Sequence, residues 1–402
     1  MVIGIIGAGA SGMAAALAAS EFQNVQVLLF ERQARVGRKL QATGNGRCNL
    51  TNRNTSVQRY HGEQAEFAEY ALGRYDVANT LDWFSSMGLY TVTEASGKVY
   101  PYSDQANSVV DVLRFALQKQ NIELISGTEI TRVRKTENGF ELRTDSESYF
   151  CDRLIIACGG LAGTKLGGSM SGYKMLRGFG HSCTRLRPAL VQLKSDWSGC
   201  VSLKGVRANC HAQIYHNGVL HGQSTGELQF TDYGISGPVI FEISRDVCQG
   251  SGSWIGRLDF LPDMQEDALR AELRRRRETN LPTEELFTGI LHNRLGRVLT
   301  AAAGIRSKEC ADLTDSDVDT VIHVVKALEI SLTDTMGMDS AQVTAGGILT
   351  SEFNAETMES RLVPGLFACG EVLDIDGDCG GYNLQWAWSS GRLAGKSAGG
   401  LL

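Results

Sequence analysis

The sequence predicts an α/β fold, a core domain whose chain is interrupted by a β-rich insert and a small helical insert. Three observations predict it. A short apolar strand runs into a glycine turn and an Ala-rich helix at the start of the chain. Two later apolar runs, Leu154–Ile156 and Leu366–Ala368, also end on glycine. Between them, the residues from about 190 to 261 form short β-like runs, and from Pro262 the pattern turns helical. The expected organisation is a core domain of 1–189 and 336–402, a β-rich insert of 190–261 and a helical insert of 262–335.

Composition sets the outer limits. The 402 residues carry 39 Lys plus Arg against 45 Asp plus Glu, a net charge of -6, which argues against a protein that holds nucleic acid by neutralising phosphates. With 43% hydrophobic and 21% charged residues, the chain can bury a full core. Glycine is the outlier, 46 residues and often clustered, which suggests backbone held close to a ligand. The 10 cysteines include no C-x-x-C pair, so zinc and other metal sites are not expected, and scattered, mostly strand-embedded thiols fit a reducing cytoplasm. Met1–Ser20 has no charge but lacks the basic region of a signal peptide, and its four glycines make it a poor membrane span. A soluble protein is expected.

The first element reads as a buried strand, Val2–Ile6, a turn Gly7-Ala8-Gly9-Ala10-Ser11-Gly12, and a helix from about Ala10 to Ala19. In this G-x-G-x-x-G, Gly7 permits the tight turn, Gly9 lets a pyrophosphate approach the backbone, and Gly12 lets helix and strand pack closely. The helix N-terminus offers N–H groups and a positive dipole end to the phosphates. Val25–Phe30 is a second strand, and Glu31, nineteen residues after Gly12, is placed to accept the ribose hydroxyls. The core is therefore Rossmann-like.

The far end of the chain decides which dinucleotide is expected. Leu366–Ala368 leads to Gly370-Glu371, a second acid at a strand end, and Leu154–Ile156 leads to Cys158-Gly159-Gly160. A flavin dinucleotide needs such a return of the chain, because its ribityl group and ring lie beyond the pyrophosphate. FAD is the expected cofactor. From about Tyr382 to Ala398 the sequence reads as a helix, preceded by Gly380-Gly381, and its start, Gly381-Tyr382-Asn383-Leu384, would meet the flavin's pyrimidine end.

These residues carry a family resemblance. Arg38–Asn52, Ala341–Gly347 and Gly380–Ser390 resemble the signatures of one bacterial flavoprotein family, whose members are known as aminoacetone oxidases, BaiN-type reductases of unsaturated keto bile acids, or NAD(P)/FAD-dependent oxidoreductases. The resemblance spans essentially the whole chain. It implies FAD lined on its phosphate and flavin side by Lys39, Gly46, Arg47, Cys48 and Asn49, with Arg32 and Ile130 completing the cofactor set. It also implies that the β-rich insert is barrel-like. The chain departs from the family pattern at Asp232, where many relatives have His, and at Ser169–Gly172, where related flavoproteins tend to carry Thr-Gly-Asp-Gly, at the pocket edge near Tyr173.

Within the inserts, His211–Tyr215, Asn217-Gly218 and Val219–His221 read as a hairpin, and Thr314 with Asp317 as a helix start before Val318–Leu328. Arg274–Arg277 reads as a solvated helix face opposite Glu266, Asp267 and Glu272, with recruitment of an anionic substrate as the alternative. Of the seven histidines only 211, 216 and 221 have a suggestive spacing, and a hairpin does not converge them on a metal.

The catalytic candidates are Arg47, Tyr233 and Tyr382. Arg47 either steadies an anionic flavin or substrate carbonyl, or clamps the cofactor's phosphates. Tyr233 and Tyr382 are proton donors or packing residues, and Cys48, without a second cysteine nearby, is a structural thiol. The expected function is FAD-dependent reduction of a conjugated carbon–carbon double bond in a small keto compound, with NAD(P)H as electron donor. The alternatives are an oxidase of a small amine such as aminoacetone, or a flavin-binding redox sensor. The substrate is expected between the FAD domain and the β-rich insert, near Tyr233 and the Gly234–Gly237 turn.

Overall fold

Val2–Ile6 is the central strand of a five-stranded parallel sheet in the computed structural model, which describes residues 1–119, 121–247 and 249–400. The strand order is Leu366–Ala368, Arg153–Ile156, Val2–Ile6, Gln26–Glu31, Ile122–Ser126. Ile5 pairs with Ile155 on one side and Leu29 on the other, and all three are fully buried. A strand covered on both faces has no polar side to show, which is why these runs are continuously apolar.

The first helix, Ala10–Ala19, is buried along Ser11–Ala19, and this explains the charge-free start of the chain. It packs against the C-terminal helix, Tyr382–Gly399. A Cβ on Gly391 would lie 2.3 Å from the Ser11 carbonyl oxygen, and one on Gly395 would lie 2.2 Å from that of Ala15. Only glycine lets the two helices come this close, so the small residues of both set the distance between them.

The chain divides into two compact units, 1–187 with 342–402, and 188–341. Each has its own hydrophobic core. In the second unit six antiparallel strands close a barrel in the order Leu193–Ser195, Gly234–Ser236, Val219–Phe230, Arg207–His216, Trp254–Asp259, Leu328–Thr335. The hairpin turns at Asn217 (φ 50°) and Gly218 (φ 81°), the left-handed pair that a two-residue turn requires. Asp315–Ala327 is a helix whose Thr314 and Asp317 form a capping box.

Several expectations need correction here. The stretch read as helical ends in a barrel strand, Leu328–Thr335, in which buried Leu328, Ile330 and Leu332 alternate with exposed residues. The arginine run is consumed by ion pairs: Arg275 and Arg276 hold Glu272, and Arg274 and Arg277 hold Asp315. Glu266 and Asp267 lie in the first turn of that helix, and the second acidic partner comes from the helix Asp315–Ala327 instead. Of the nine cysteines described, all free, only Cys151 and Cys210 lie inside strands, and Cys248 lies outside the described residues. No helix among the described residues is long and apolar enough to cross a membrane. They contain no cluster of His, Cys, Asp and Glu that could hold a metal.

Candidate cofactor and active site

The glycine turn after the first strand has one crowded side and one open side. Gly7 has φ 105°, and a Cβ there would sit 2.5 Å from the Ala157 carbonyl oxygen. A Cβ on Gly12 would come within 1.8 Å of the Gly7 carbonyl oxygen. A Cβ on Gly9 would meet nothing within 4 Å. Gly9 caps the first helix without a side-chain hydrogen bond, and the first turn holds no acid. The helix therefore presents a positive, uncapped end to open space.

Glu31 ends the neighbouring strand and braces this turn. Its Oε2 accepts from the Ala8 N–H at 3.0 Å and its Oε1 from the Gln33 N–H at 2.9 Å. A carboxylate has about four acceptor positions, so two remain for a ligand's hydroxyls. Thr128 N–H donates to the Glu31 carbonyl at 2.9 Å, which brings the segment leading to buried Ile130 alongside. Arg32 turns elsewhere, donating to the Gly167 carbonyl at 2.7 Å.

A second cradle lies where residues 43–52 meet the C-terminal helix. Gly44, Asn45, Gly46 and Cys48 all have left-handed φ, between 56° and 86°, a tight coil that keeps the backbone close to whatever it surrounds. A Cβ on Gly46 would meet nothing within 4 Å. Asn49 is buried, and its Oδ1 has no hydrogen-bond partner. Gly381 (φ 101°) caps the C-terminal helix beside it, and a Cβ there would sit 2.9 Å from that same Oδ1. An unpaired buried acceptor is costly, so the position calls for a donor. Asn383 holds this loop in place, accepting from the Gly377 N–H at 2.8 Å and donating to its carbonyl at 2.7 Å. Leu384 is half-buried on the same turn.

Between the two cradles, Lys39 Nζ and Glu371 Oε2 form an ion pair at 2.7 Å, and Glu371 Oε1 accepts from the Thr344 N–H at 2.8 Å. Gly370 (φ 76°) abuts Ser11, where a Cβ would sit 2.5 Å from the hydroxyl. Gly159 (φ 69°) faces open space after Cys158. Burial pushes the thiols of Cys48 and Cys158 up to about 12, so both stay protonated, as a structural reading of Cys48 requires.

The first unit thus brings together the glycine turn, Glu31, Lys39, Gly46, Asn49, Gly159, Glu371 and the start of the C-terminal helix. Arg47 is otherwise engaged: its guanidinium pairs with Asp104 and Glu94 and lies over the Tyr100 ring, 3.9 Å from the centroid. Tyr382 is 5% exposed and stands edge-on to Tyr60. Tyr173 is fully buried, a core residue. In the second unit, Tyr233 lies on a turn closed by the Thr231 N–H bond to the Gly234 carbonyl, and Asp232 pairs with Lys204. Sequence reasoning missed the cluster of Arg59, His61 and Asp378 beside the C-terminal helix. No spacing pattern joins residues more than three hundred positions apart.

Comparison with known proteins gives the following matches. The model of the HI0933-like protein Rossmann domain family matches residues 1–397. The chain is 40% identical to a 3-dehydro-bile acid delta(4,6)-reductase of Clostridium scindens, over 98% of both chains. It is 31% identical to a ribosomal RNA dihydrouridine synthase of Escherichia coli K12, over 96% of this chain and 95% of that one. Among solved structures, the FrdA chain of E. coli quinol fumarate reductase superposes with a TM-score of 0.50 at 17% identity, covering 99% of this chain and 70% of that one, a likeness of fold.

Proposed function

The chain belongs to the HI0933-like Rossmann family and is BaiN-type in sequence, and from that premise we propose an FAD-dependent oxidoreductase that reduces a carbon–carbon double bond conjugated to a carbonyl. The observation that carries the cofactor is the buried, unpaired Oδ1 of Asn49 beside the open start of the C-terminal helix. It suits the N–H donor and carbonyl acceptors of a flavin's pyrimidine edge. FAD, when bound, supplies hydride transfer between a nicotinamide donor, NADH or NADPH, and the conjugated double bond.

The rest of the work falls to the chain. The first helix faces its uncapped N-terminus to the pyrophosphate, with Gly9 allowing close approach. Glu31 uses its remaining acceptor positions for ribose hydroxyls. Lys39 and Glu371 lie between the two cradles and hold the ribityl region. The positive end of the C-terminal helix, at Gly381, favours negative charge on the ring.

The substrate class draws on the relatives. A 3-dehydro bile acid with 4,6 double bonds and a uridine that becomes dihydrouridine share one feature, a ring double bond in conjugation with a carbonyl. The higher identity, together with the net charge of -6, favours a small steroid-like enone over RNA.

The test is to identify the nucleotide released on denaturation, then follow NADH and NADPH oxidation with a 3-keto-4,6-diene bile acid, simple cyclic enones, aminoacetone and a ribosomal RNA transcript. FAD release and turnover with the steroid dienone are expected. Peroxide release with aminoacetone, or turnover with the transcript alone, contradicts the reading.

A further inference from the structure

A two-stranded ribbon lies beside the start of the C-terminal helix. Tyr60–His61 pairs antiparallel with Asp376–Gly377, His61 opposite Asp376 and Tyr60 opposite Gly377. One face of the ribbon is closed. Tyr60 is 3% exposed and donates its hydroxyl to the Tyr382 carbonyl at 3.0 Å. Successive strand residues point to opposite faces, and the His61 side chain, on the other face, is 36% exposed. Its Nε2 meets Asp378 Oδ1 at 2.7 Å, and Arg59 Nη1 reaches the other oxygen at 3.3 Å.

Asp378 is itself held in place. Its N–H donates to the Arg59 carbonyl at 2.9 Å, and Asn383, in the first turn of the C-terminal helix, donates to the Asp378 carbonyl at 3.4 Å. Asp376 stands opposite His61 across the ribbon, and the next turn is held by the Glu63 N–H, which donates to Asp374 at 3.0 Å. A carboxylate that accepts from Nε2 fixes the proton there and leaves Nδ1 for exchange. No partner for Nδ1 occurs among the described residues. A carboxylate that orients an imidazole in this way suits the ring to general acid–base work. The earlier candidates of this unit lack that freedom, since Arg47 is tied to two acids and Tyr382 is buried.

We infer that His61 is the proton donor of the reduction, with Asp378 as its positioning residue, an inference that rests on the function proposed above. Saturating a conjugated double bond adds two electrons as hydride at the β-carbon, from the reduced cofactor, and one proton at the α-carbon. The imidazolium of His61 gives that proton from Nδ1 as the α C–H bond forms and the π bond is lost. The neutral imidazole then regains a proton from water.

The test compares wild type, His61→Gln and Asp378→Asn as FAD-loaded full chains. Each is reduced anaerobically with NAD(P)H, reoxidised with a 3-keto-4,6-diene steroid, and separately titrated with oestradiol, whose phenol mimics the enolate. In His61→Gln, FAD content and flavin reduction stay as in wild type, while reoxidation slows about a hundredfold. Oestradiol binding weakens about tenfold, the size of one lost hydrogen bond. Asp378→Asn keeps the imidazole and shows a smaller loss in both. Unchanged reoxidation in His61→Gln overturns the inference, and so does a loss of FAD or of flavin reduction, which would make the ribbon a scaffold. A wild type whose flavin no enone reoxidises overturns the proposed function itself, whereas equal reoxidation in wild type and His61→Gln overturns this inference alone.

Discussion

Lys39 and Glu371 stand 332 positions apart in the chain, yet their side chains meet at 2.7 Å between the two cradles of the first unit. Each is partly shielded, 31% and 19% exposed. Glu371→Leu removes both this pair and the acceptor for the Thr344 N–H. The expected result is an FAD affinity lower by about 1–3 kcal/mol, about 5- to 150-fold, in a binding titration. An unchanged affinity would place the acid outside the cofactor's reach.

The two glycines of the first turn should separate fold from binding. Gly12→Ala puts a Cβ 1.8 Å from backbone, so the strand and helix must part, and a loss of about 2 kcal/mol or more in urea unfolding is expected. Gly9→Ala has open space and an ordinary φ of -80°, so stability should change by less than about 0.5 kcal/mol. FAD binding should nevertheless weaken in Gly9→Ala, because the methyl group occupies the phosphate's approach. Equal effects of the two substitutions on stability would contradict this division.

Buried thiols should be silent. With Cys48 fully buried and its thiol held up to about 12, iodoacetamide at about pH 8 should leave it unmodified in the folded protein, as peptide mass mapping would report. Cys48→Ala should keep its FAD. Rapid alkylation of Cys48 would mean that the 43–49 coil opens in solution.

Acid should loosen the segment around residue 352. His181 is stacked on Phe353, pairs with Glu352 at 2.9 Å and contacts the Ser360 hydroxyl at 2.9 Å. Burial lowers its pKa from 6.5, and Glu352 only partly offsets this. The folded state then resists a proton that the unfolded chain accepts. Stability is full above the unfolded value and falls as pH drops below it. Glu352 is opposed by its own burial, but the Ser182 N–H and His181 hold it below the ordinary value, so it adds a loss only in stronger acid. Urea unfolding at about pH 7.5 and about pH 5.5 should show a smaller loss in His181→Phe than in wild type. An equal loss would place the acid sensitivity elsewhere.

The fold was legible wherever one local rule governed a segment. The glycine turn, the Ala-rich helix and the Asn217-Gly218 hairpin each announce a backbone conformation through residues next to one another. The strand Leu328–Thr335 was not read from the sequence, although Leu328, Ile330 and Leu332 keep period two. It was lost in the helical pattern that precedes it. The site was less legible, since its decisive pairs, Lys39 with Glu371 and His61 with Asp378, are made by the fold. Arg47 shows the converse. A cation in a glycine-rich signature invites a ligand, but Asp104 and Glu94 come from loop positions that the signature does not mention.

The most direct test of the central claim is an anaerobic single turnover. The purified protein is reduced with one equivalent of NADH or NADPH and mixed with a stoichiometric 3-keto-4,6-diene steroid while flavin absorbance is recorded. The account predicts that the oxidised flavin spectrum returns in full and that the steroid gains two hydrogens by mass. A flavin that stays reduced until oxygen is admitted, with the steroid unchanged, would contradict it.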